Sequence, residues 1–426
     1  MKKAVIIGAG IAGITAAAEL RKLYPGTDLN ITIVSAENPP DYSRIRLPEF
    51  VAGTLAEEAL VLHRHDWFRR QNITVLPETQ ASDLHCQRKT LSVRSAQGTN
   101  ETLSYDVLII ASGARAFAPC RPSPESPAFG SVFTLRTIAD ARALKKRIET
   151  HRNAAVVIGG GLLGIEAARA LKTAGVNGVH IVETAPYLLP RQLDRTASAL
   201  LTEYLTAEGL TVHTGVSLDL ALLETRTPQE LLAPLSAGND PAETVVLSMG
   251  VRSETGLAQT AGIACGKGIT VNASMRTSEP AVFAAGDCAE FEGVVWGIVP
   301  AALEQAKTAA QNAAHYLYPE SVPQPEPYRQ TVPRTTLSIG NKETVSAGKA
   351  VLTDQEVQSG NWKEHVLSES PYVRIVEDTQ TGTVAGALAF GDSGTGRIFL
   401  MPLQKAVGNS VPAALELLAA LQFHRG

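Results

Sequence analysis

Val5-Ile6-Ile7-Gly8-Ala9-Gly10-Ile11-Ala12-Gly13 opens the chain, and Val156-Val157-Ile158-Gly159-Gly160-Gly161-Leu162-Leu163-Gly164 repeats its pattern in the interior. Each copy follows an apolar, strand-like run and leads into a helix-like run rich in Ala and Leu. Glycine is needed there for a tight strand-to-helix turn, for close approach of the backbone to a pyrophosphate, and for close helix–strand packing. The helix start adds free N–H groups and the positive end of a dipole, both suited to phosphate. One such pattern is a weak signal. Two, each with a strand before and a helix after, predict two dinucleotides held by one protein.

The rest of the composition is consistent with that reading. A chain of 426 residues suggests two to three domains, and 44% hydrophobic content can fill large cores. A net charge of −4 argues against nucleic acid or an anionic membrane as partner. The four cysteines, Cys86, Cys120, Cys265 and Cys288, are too scattered for a disulfide framework or a CxxC motif, which fits a reduced, cytoplasmic setting. Met1-Lys2-Lys3 before an apolar run resembles a secretory signal, but the interior copy has the same layout and cannot be one. No run of about 20 apolar residues suggests a membrane span. His63-x-His65 is too little for a metal site, and none is expected.

The first unit reads strand 4–7, helix 10–22, strand 30–34, the order of a parallel sheet. Pro39-Pro40 breaks the pattern, and an irregular segment 41–48 follows. A short amphipathic helix at 65–70, strands near 74–76 and 90–93, and a buried strand ending at Ser112-Gly113 complete this part. Residues 118–127 read as a Pro-rich linker. Helix 138–150 then leads into the second unit: strand 155–158, helix 162–174, strand 179–182. Strand 244–249, a strand ending at Gly286-Asp287, an Ala-rich helix 301–318, a linker at 324–327 and a last helix 412–422 follow. The expected fold class is α/β. It comprises two Rossmann-like dinucleotide-binding domains (1–116 with 243–322, and 117–242 inserted into the first), with a small α+β domain at 323–426.

An acidic residue some 20 positions after the glycines ordinarily takes a ribose hydroxyl. Glu183 directly ends the second strand of the interior unit, and Thr184-Ala185-Pro186 bring no arginine for a 2′-phosphate, which favours NADH over NADPH. In the first unit the strand ends at Ser35 and the acid follows two positions later, as Glu37. Asp287 begins a helical turn after a strand, where it serves either a cofactor polyol or its own helix as an N-cap.

Together, residues 8–13, Tyr42-Ser43-Arg44, Ile110-Ala111-Ser112-Gly113, residues 159–166, Arg191-Gln192-Leu193-Asp194-Arg195, Gly250-Val251-Arg252 and residues 277–291 make the chain resemble the pyridine-nucleotide–disulfide oxidoreductase class. The branch it looks most like is the NADH:rubredoxin reductases and the flavin domain of NADH-nitrite reductases, over about residues 1–320. The resemblance implies FAD on Gly8, Gly10, Ile11, Ala12, Gly13, Glu37, Ser112, Gly113, Gly250, Gly286 and Asp287, with Asp287 on the ribityl chain and backbone contacts from Val299. It implies NADH on Gly159, Gly161, Leu162, Leu163, Gly164 and Glu183. Arg44 falls where such enzymes carry a base beside the flavin, and Glu166 where they carry the acid that pairs with it. These two are the expected catalytic residues. Ser253 departs from the usual proline, and a lysine expected near Leu337 is missing, with Arg334 nearby.

Disulfide-reducing relatives carry a cysteine pair on the first helical region after the second strand, or a single cysteine within the segment that is 42–48 here, and neither stretch holds one. The expected activity is therefore transfer of electrons from NADH through FAD to a separate carrier such as rubredoxin or ferredoxin. The alternatives are an NADH oxidase, the reductase component of a larger system, or a flavin redox sensor with little turnover. Clustered cysteines for an iron–sulfur/siroheme centre are absent, so the chain itself does not reduce nitrite. Arg44, Arg46, His63, Arg64, His65, Arg69 and Arg70 form a basic cluster that either steers an acidic carrier or is simply a solvated face. A monomer and a homodimer both fit.

Overall fold

Five parallel strands form the sheet of the first unit, in the order Val282–Ala284, Val107–Ile110, Lys2–Ile7, Leu29–Val34, Ile73–Leu76. The computed structural model describes residues 1–24, 28–235, 241–329, 331 and 334–419. It divides into two compact units: 1–50 with 54–117 and 251–331, and 51–53 with 118–250 and 332–426. In the first, the strand Lys2–Ile7 is central because nearly every side chain after Lys3 is apolar and buried on both faces. Its chain neighbour Leu29–Val34 lies on one side and Val107–Ile110 on the other. The strand order thus reverses beside Gly8, the place where such sheets hold ligands.

The helix Ile11–Leu23 packs on the helix Val299–Leu317. Buried alanines at 302, 306, 309, 310, 313 and 314 on the second, and Ala16 and Ala17 on the first, let the two backbones approach closely. A three-stranded antiparallel sheet, Thr79–His85, Thr90–Ser95 and Asn100–Ser104, completes the unit.

The second unit repeats this plan. Its parallel sheet runs Thr211–Thr214, Gly178–Glu183, Ala154–Ile158, Ala242–Leu247, Val132–Thr134. The helix Ile138–Thr150 begins with a capping box between Thr137 and Asp140. The same unit also holds a five-stranded antiparallel sheet, Arg334–Ile339, Lys342–Gly348, Thr383–Asp392, Tyr372–Asp378 and Trp362–Glu369. Helices Thr395–Ala406 and Val411–Ala419 pack against it, and the expected residues 420–422 of the last helix lie outside the described residues.

The segment 41–48 is more regular than expected, with a 3-10 turn Arg44–Arg46 followed by the helix Leu47–Ala52. Pro48 does not prevent this, because the first turn of a helix leaves its N–H groups unbonded anyway. The strands Thr79–His85 and Asn100–Ser104 are hard to read because their apolar positions are few, whereas the helix Arg195–Ala207, which the sequence reading missed, buries Ala197, Leu201 and Leu205 at helical spacing.

Candidate functional site

Each glycine loop is shaped by its own fold. Gly8 and Gly159 have φ of +100° and +117°, in the left-handed region. A Cβ on Gly8 would lie 2.2 Å from the Ala111 carbonyl oxygen, and one on Gly159 2.2 Å from that of Ser248. At Gly13 and Gly164 it would lie 1.9 Å from the carbonyl oxygens of Gly8 and Gly159.

The middle glycines differ. At Gly10 and Gly161 an added Cβ meets nothing within 4 Å. Among the described residues nothing crowds these two positions, so the loop is open there to an approaching ligand. Both residues are N-caps that give the following helix no side-chain hydrogen bond, which leaves the first amides of Ile11–Leu23 and Leu162–Thr173 for an anion. The two loops therefore fit a dinucleotide pyrophosphate. Ile11, Leu163 and Val299 are each about two-fifths exposed, as apolar side chains at a ligand-facing surface would be. Ala12 is buried and Leu162 half-buried.

In the second unit Glu183 ends its strand as expected. Its carboxylate accepts the amides of Gly160 (2.7 Å) and Ala185 (2.8 Å) and the Thr184 hydroxyl (3.1 Å). The acid is thus clamped beside the glycine loop. Gly160 was overlooked, although three successive glycines signalled it. A Cβ there would lie 2.9 Å from Glu183 Cβ and 2.5 Å from Leu188 Cδ2.

In the first unit Ser35 occupies the strand end, and its hydroxyl accepts the Glu37 amide at 3.3 Å. The Glu37 carboxylate accepts the Tyr42 hydroxyl and, at 2.5 Å, Arg44 Nη2. Arg44 Nη1 donates to the Tyr42 oxygen at 2.7 Å. A carboxylate offers about four lone-pair sites, so Glu37 can still take a ribose hydroxyl. Burial pulls the Arg44 guanidinium down, but Tyr42, Glu37 and Asp287 outweigh it and hold it above its ordinary value. Arg44 is a permanent cation close to the Gly286-Asp287 turn. Glu166 is half-buried on the helix Leu162–Thr173 of the other unit.

Asp287 lies in the 3-10 turn Gly286–Cys288, where Gly286 has φ +82° and an added Cβ would meet Ala12 Cβ at 2.9 Å. Three braces that the sequence did not reveal hold this turn and its surroundings. Ser253, in place of the expected proline, donates its hydroxyl to the Asp287 carbonyl at 2.7 Å. Ser112 donates to the Glu254 carbonyl at 2.8 Å, beside Gly113 at φ +71°. Gln305, 1% exposed, accepts the Gly286 amide at 2.9 Å. Gly250, at φ +94°, precedes the strand Val251–Ser253.

Gln305→Leu would strand the buried Gly286 amide, a loss of about 1–3 kcal/mol. Equilibrium dialysis is expected to show roughly tenfold weaker FAD retention, the equivalent of ~1.4 kcal/mol. Gln305→Glu, which keeps the acceptor, should retain FAD better. FAD retention equal to the parent in Gln305→Leu would refute the role.

All four thiols are displaced upward, chiefly by burial. Cys288 is fully buried and donates to the carbonyls of Ile110 and Ala285 at 3.3 and 3.4 Å. In the basic cluster, Arg46 pairs with Glu49 at 2.8 Å, Arg69 with Asp66 at 3.1 Å, and His63 with Asp41 at 2.6 Å, so local acids cancel much of its field. Among the described residues no group of three or more His, Cys, Asp or Glu could hold a metal, and no helix is long and apolar enough to cross a membrane.

Two parallel sheets, each with a glycine turn at its strand-order reversal and an acid at or just beyond the end of the adjacent strand, define a protein that binds two dinucleotides. The chain belongs to the pyridine nucleotide-disulphide oxidoreductase family, whose profile matches residues 2–313. It is 31% identical over 440 residues to the nitrite reductase [NAD(P)H] of Bacillus subtilis, covering 100% of this chain and 50% of the relative. It is 32% identical over 393 residues to the assimilatory nitrate reductase electron transfer subunit of the same organism, covering 92% of this chain and 48% of the relative. The chain thus spans about half the length of these curated relatives. The crystal structure of NADH:rubredoxin oxidoreductase from Clostridium acetobutylicum superposes with a TM-score of 0.75 at 26% identity, covering 97% of this chain and 99% of that one.

Proposed function

We propose that the chain takes electrons from NADH through FAD and hands them to a separate small carrier protein of the rubredoxin or ferredoxin kind. The observation that carries this is the state of the cysteines. The segment 41–48 beside Arg44 has none, and Cys288, next to Asp287, is a buried thiol pushed up and bonded to carbonyls. Thiolate is the reactive form, so such a thiol is a poor relay. Electrons then leave for an outside acceptor.

FAD, when bound, supplies the hydride acceptance and the stepwise electron release. The first unit holds it on residues 8–13, Glu37, Ser112-Gly113 and Gly286-Asp287. The permanent cation of Arg44 stabilises negative charge beside it, and Glu166, on the second unit, is the other proposed catalytic residue. The second unit holds NADH on residues 159–164, with Glu183 on the ribose. A 2′-phosphate would face that fixed carboxylate, which disfavours NADPH. The domain limits 1–116 with 243–322, 117–242 and 323–426 belong to the same reading, as does a cytoplasmic setting.

Mixing the protein with NADH without oxygen, then adding rubredoxin, tests the proposal. The yellow flavin is expected to bleach and then recolour at about 10 s⁻¹, an ordinary enzyme rate. Recolouring by dioxygen alone would make the chain an NADH oxidase. A flavin that bleaches slowly or lingers in a complex would make it a sensor. A second reading has specific support in the names of the two Bacillus relatives: the chain serves as the reductase part of a nitrite- or nitrate-reducing system. In that case an iron–sulfur partner of such a system should recolour the flavin faster than rubredoxin does.

A further inference from the structure

We propose that the antiparallel sheet of residues 334–392 positions the NADH-binding loop, through a buried arginine, Arg374, and its neighbour Tyr372, which together hold Asp194. The inference rests on the reading that Glu183 and the glycines before it hold NADH.

The loop 183–194 leaves the strand Gly178–Glu183 and enters the helix Arg195–Ala207. It is fixed at its start, middle and end. Its start is the Glu183 carboxylate on the amides of Gly160 and Ala185. Its middle is Leu189, whose amide donates to the Gly160 carbonyl at 3.0 Å and whose φ is +51°, a left-handed geometry that a leucine keeps only when held. Its end is Asp194. One oxygen of Asp194 caps the helix by accepting the Ala197 amide at 2.7 Å. The other accepts the Tyr372 hydroxyl and lies 3.1 Å from Arg374 Nε.

Tyr372 and Arg374 are two apart on the strand Tyr372–Asp378 and therefore share a face. Arg374 is only 2% exposed; its contact with Asp194 is an ion pair, while its Nη1 and Nη2 donate hydrogen bonds to Glu364 and to the Ala350 carbonyl. A buried cation is costly unless its partners are in place, so this one specifies where Asp194 sits. The same sheet reaches the far end of the helix. The Asn341 amide donates to the Tyr204 hydroxyl at 3.3 Å, and Tyr204 donates to Glu208, which Arg169 also bonds at 2.8 Å. The helix behind the loop is held at both ends. A lock on the loop's last residue carries back through Leu189 to Gly160, beside the pyrophosphate position.

The test uses the FAD-loaded full chain, with NADH affinity, maximal rate, FAD content and melting temperature measured for Tyr372→Phe, Arg374→Met and Glu183→Ala. Tyr372→Phe and Arg374→Met are expected to weaken NADH binding about tenfold, with the maximal rate at saturating NADH held within about twofold and FAD content unchanged. A purely structural role would lower the melting temperature without that split. Unchanged NADH affinity in Tyr372→Phe, alongside weakened binding in Glu183→Ala, overturns the proposal and leaves the site intact. Unchanged affinity in Glu183→Ala overturns the reading of the site itself. Should Arg374→Met fail to fold, Tyr372→Phe, which keeps the cation and its other partners, decides.

Discussion

Gly164→Ala is expected to give a yellow protein that NADH no longer bleaches. The new Cβ would lie 1.9 Å from the Gly159 carbonyl oxygen, and the contact must open by about 1.5 Å to reach an ordinary 3.4 Å. The obstacle is backbone on both sides, so no side-chain rotation relieves it. Either the helix Leu162–Thr173 moves away from its strand, or the turn at Gly159 opens. Both moves displace the amides at the helix start. Hydrogen bonds to a charged group contribute about 1.5–3 kcal/mol each, so losing those to the pyrophosphate is expected to lower NADH affinity on the order of 10²-fold. On the proposed assignment FAD lies on the other unit and should stay bound, so dithionite should still bleach the flavin. Titration with NADH checks it, and affinity within about twofold of the parent would show that residues 159–164 are not the NADH site.

Gly13→Ala is expected to give the converse, a protein purified without colour. Its Cβ would lie 1.9 Å from the Gly8 carbonyl oxygen and 3.4 Å from the Ile6 side chain. Ile6 is fully buried in the central strand, so this clash sits against packed core rather than a free surface. Overpacking of this kind costs about 3 kcal/mol. The displaced loop would also lose its hold on FAD. Flavin absorbance per chain and thermal unfolding are the measurements. A variant with full FAD content and an unchanged melting temperature would overturn the assignment of residues 8–13. The two substitutions form a matched pair, since each loop should lose its own dinucleotide and keep the other.

Much of this is legible in the sequence. The strand–glycine–helix signals are local, because a glycine turn needs only its own residues and an apolar strand announces its burial in its composition. Helix Ile138–Thr150 was readable to the residue, since Thr137 and Asp140 mark its start. The segment 41–48 was misread as irregular because Pro39-Pro40 and Pro48 look like breakers, whereas Pro48 falls in a first helical turn. Glu37 illustrates a finer limit. Its place two residues past the strand gave it a ribose role, but no spacing rule shows that it also binds Tyr42 and Arg44. Gln305 looked like any residue of an Ala-rich helix until packing set it against Gly286.

By itself the sequence showed two strand–glycine–helix loops, an acid, Glu183, at the end of the strand beside one of them, and no cysteine in the segment 41–48. Each of these depends on residues a few positions apart, or on absences visible in the chain. Only the tertiary structure decided which distant side chains hold those loops in place. Ser253 reaches Asp287 across 34 residues, and Tyr372 reaches Asp194 across 178. Such meetings depend on how whole sheets and helices pack, and nothing in the local pattern around either partner records them.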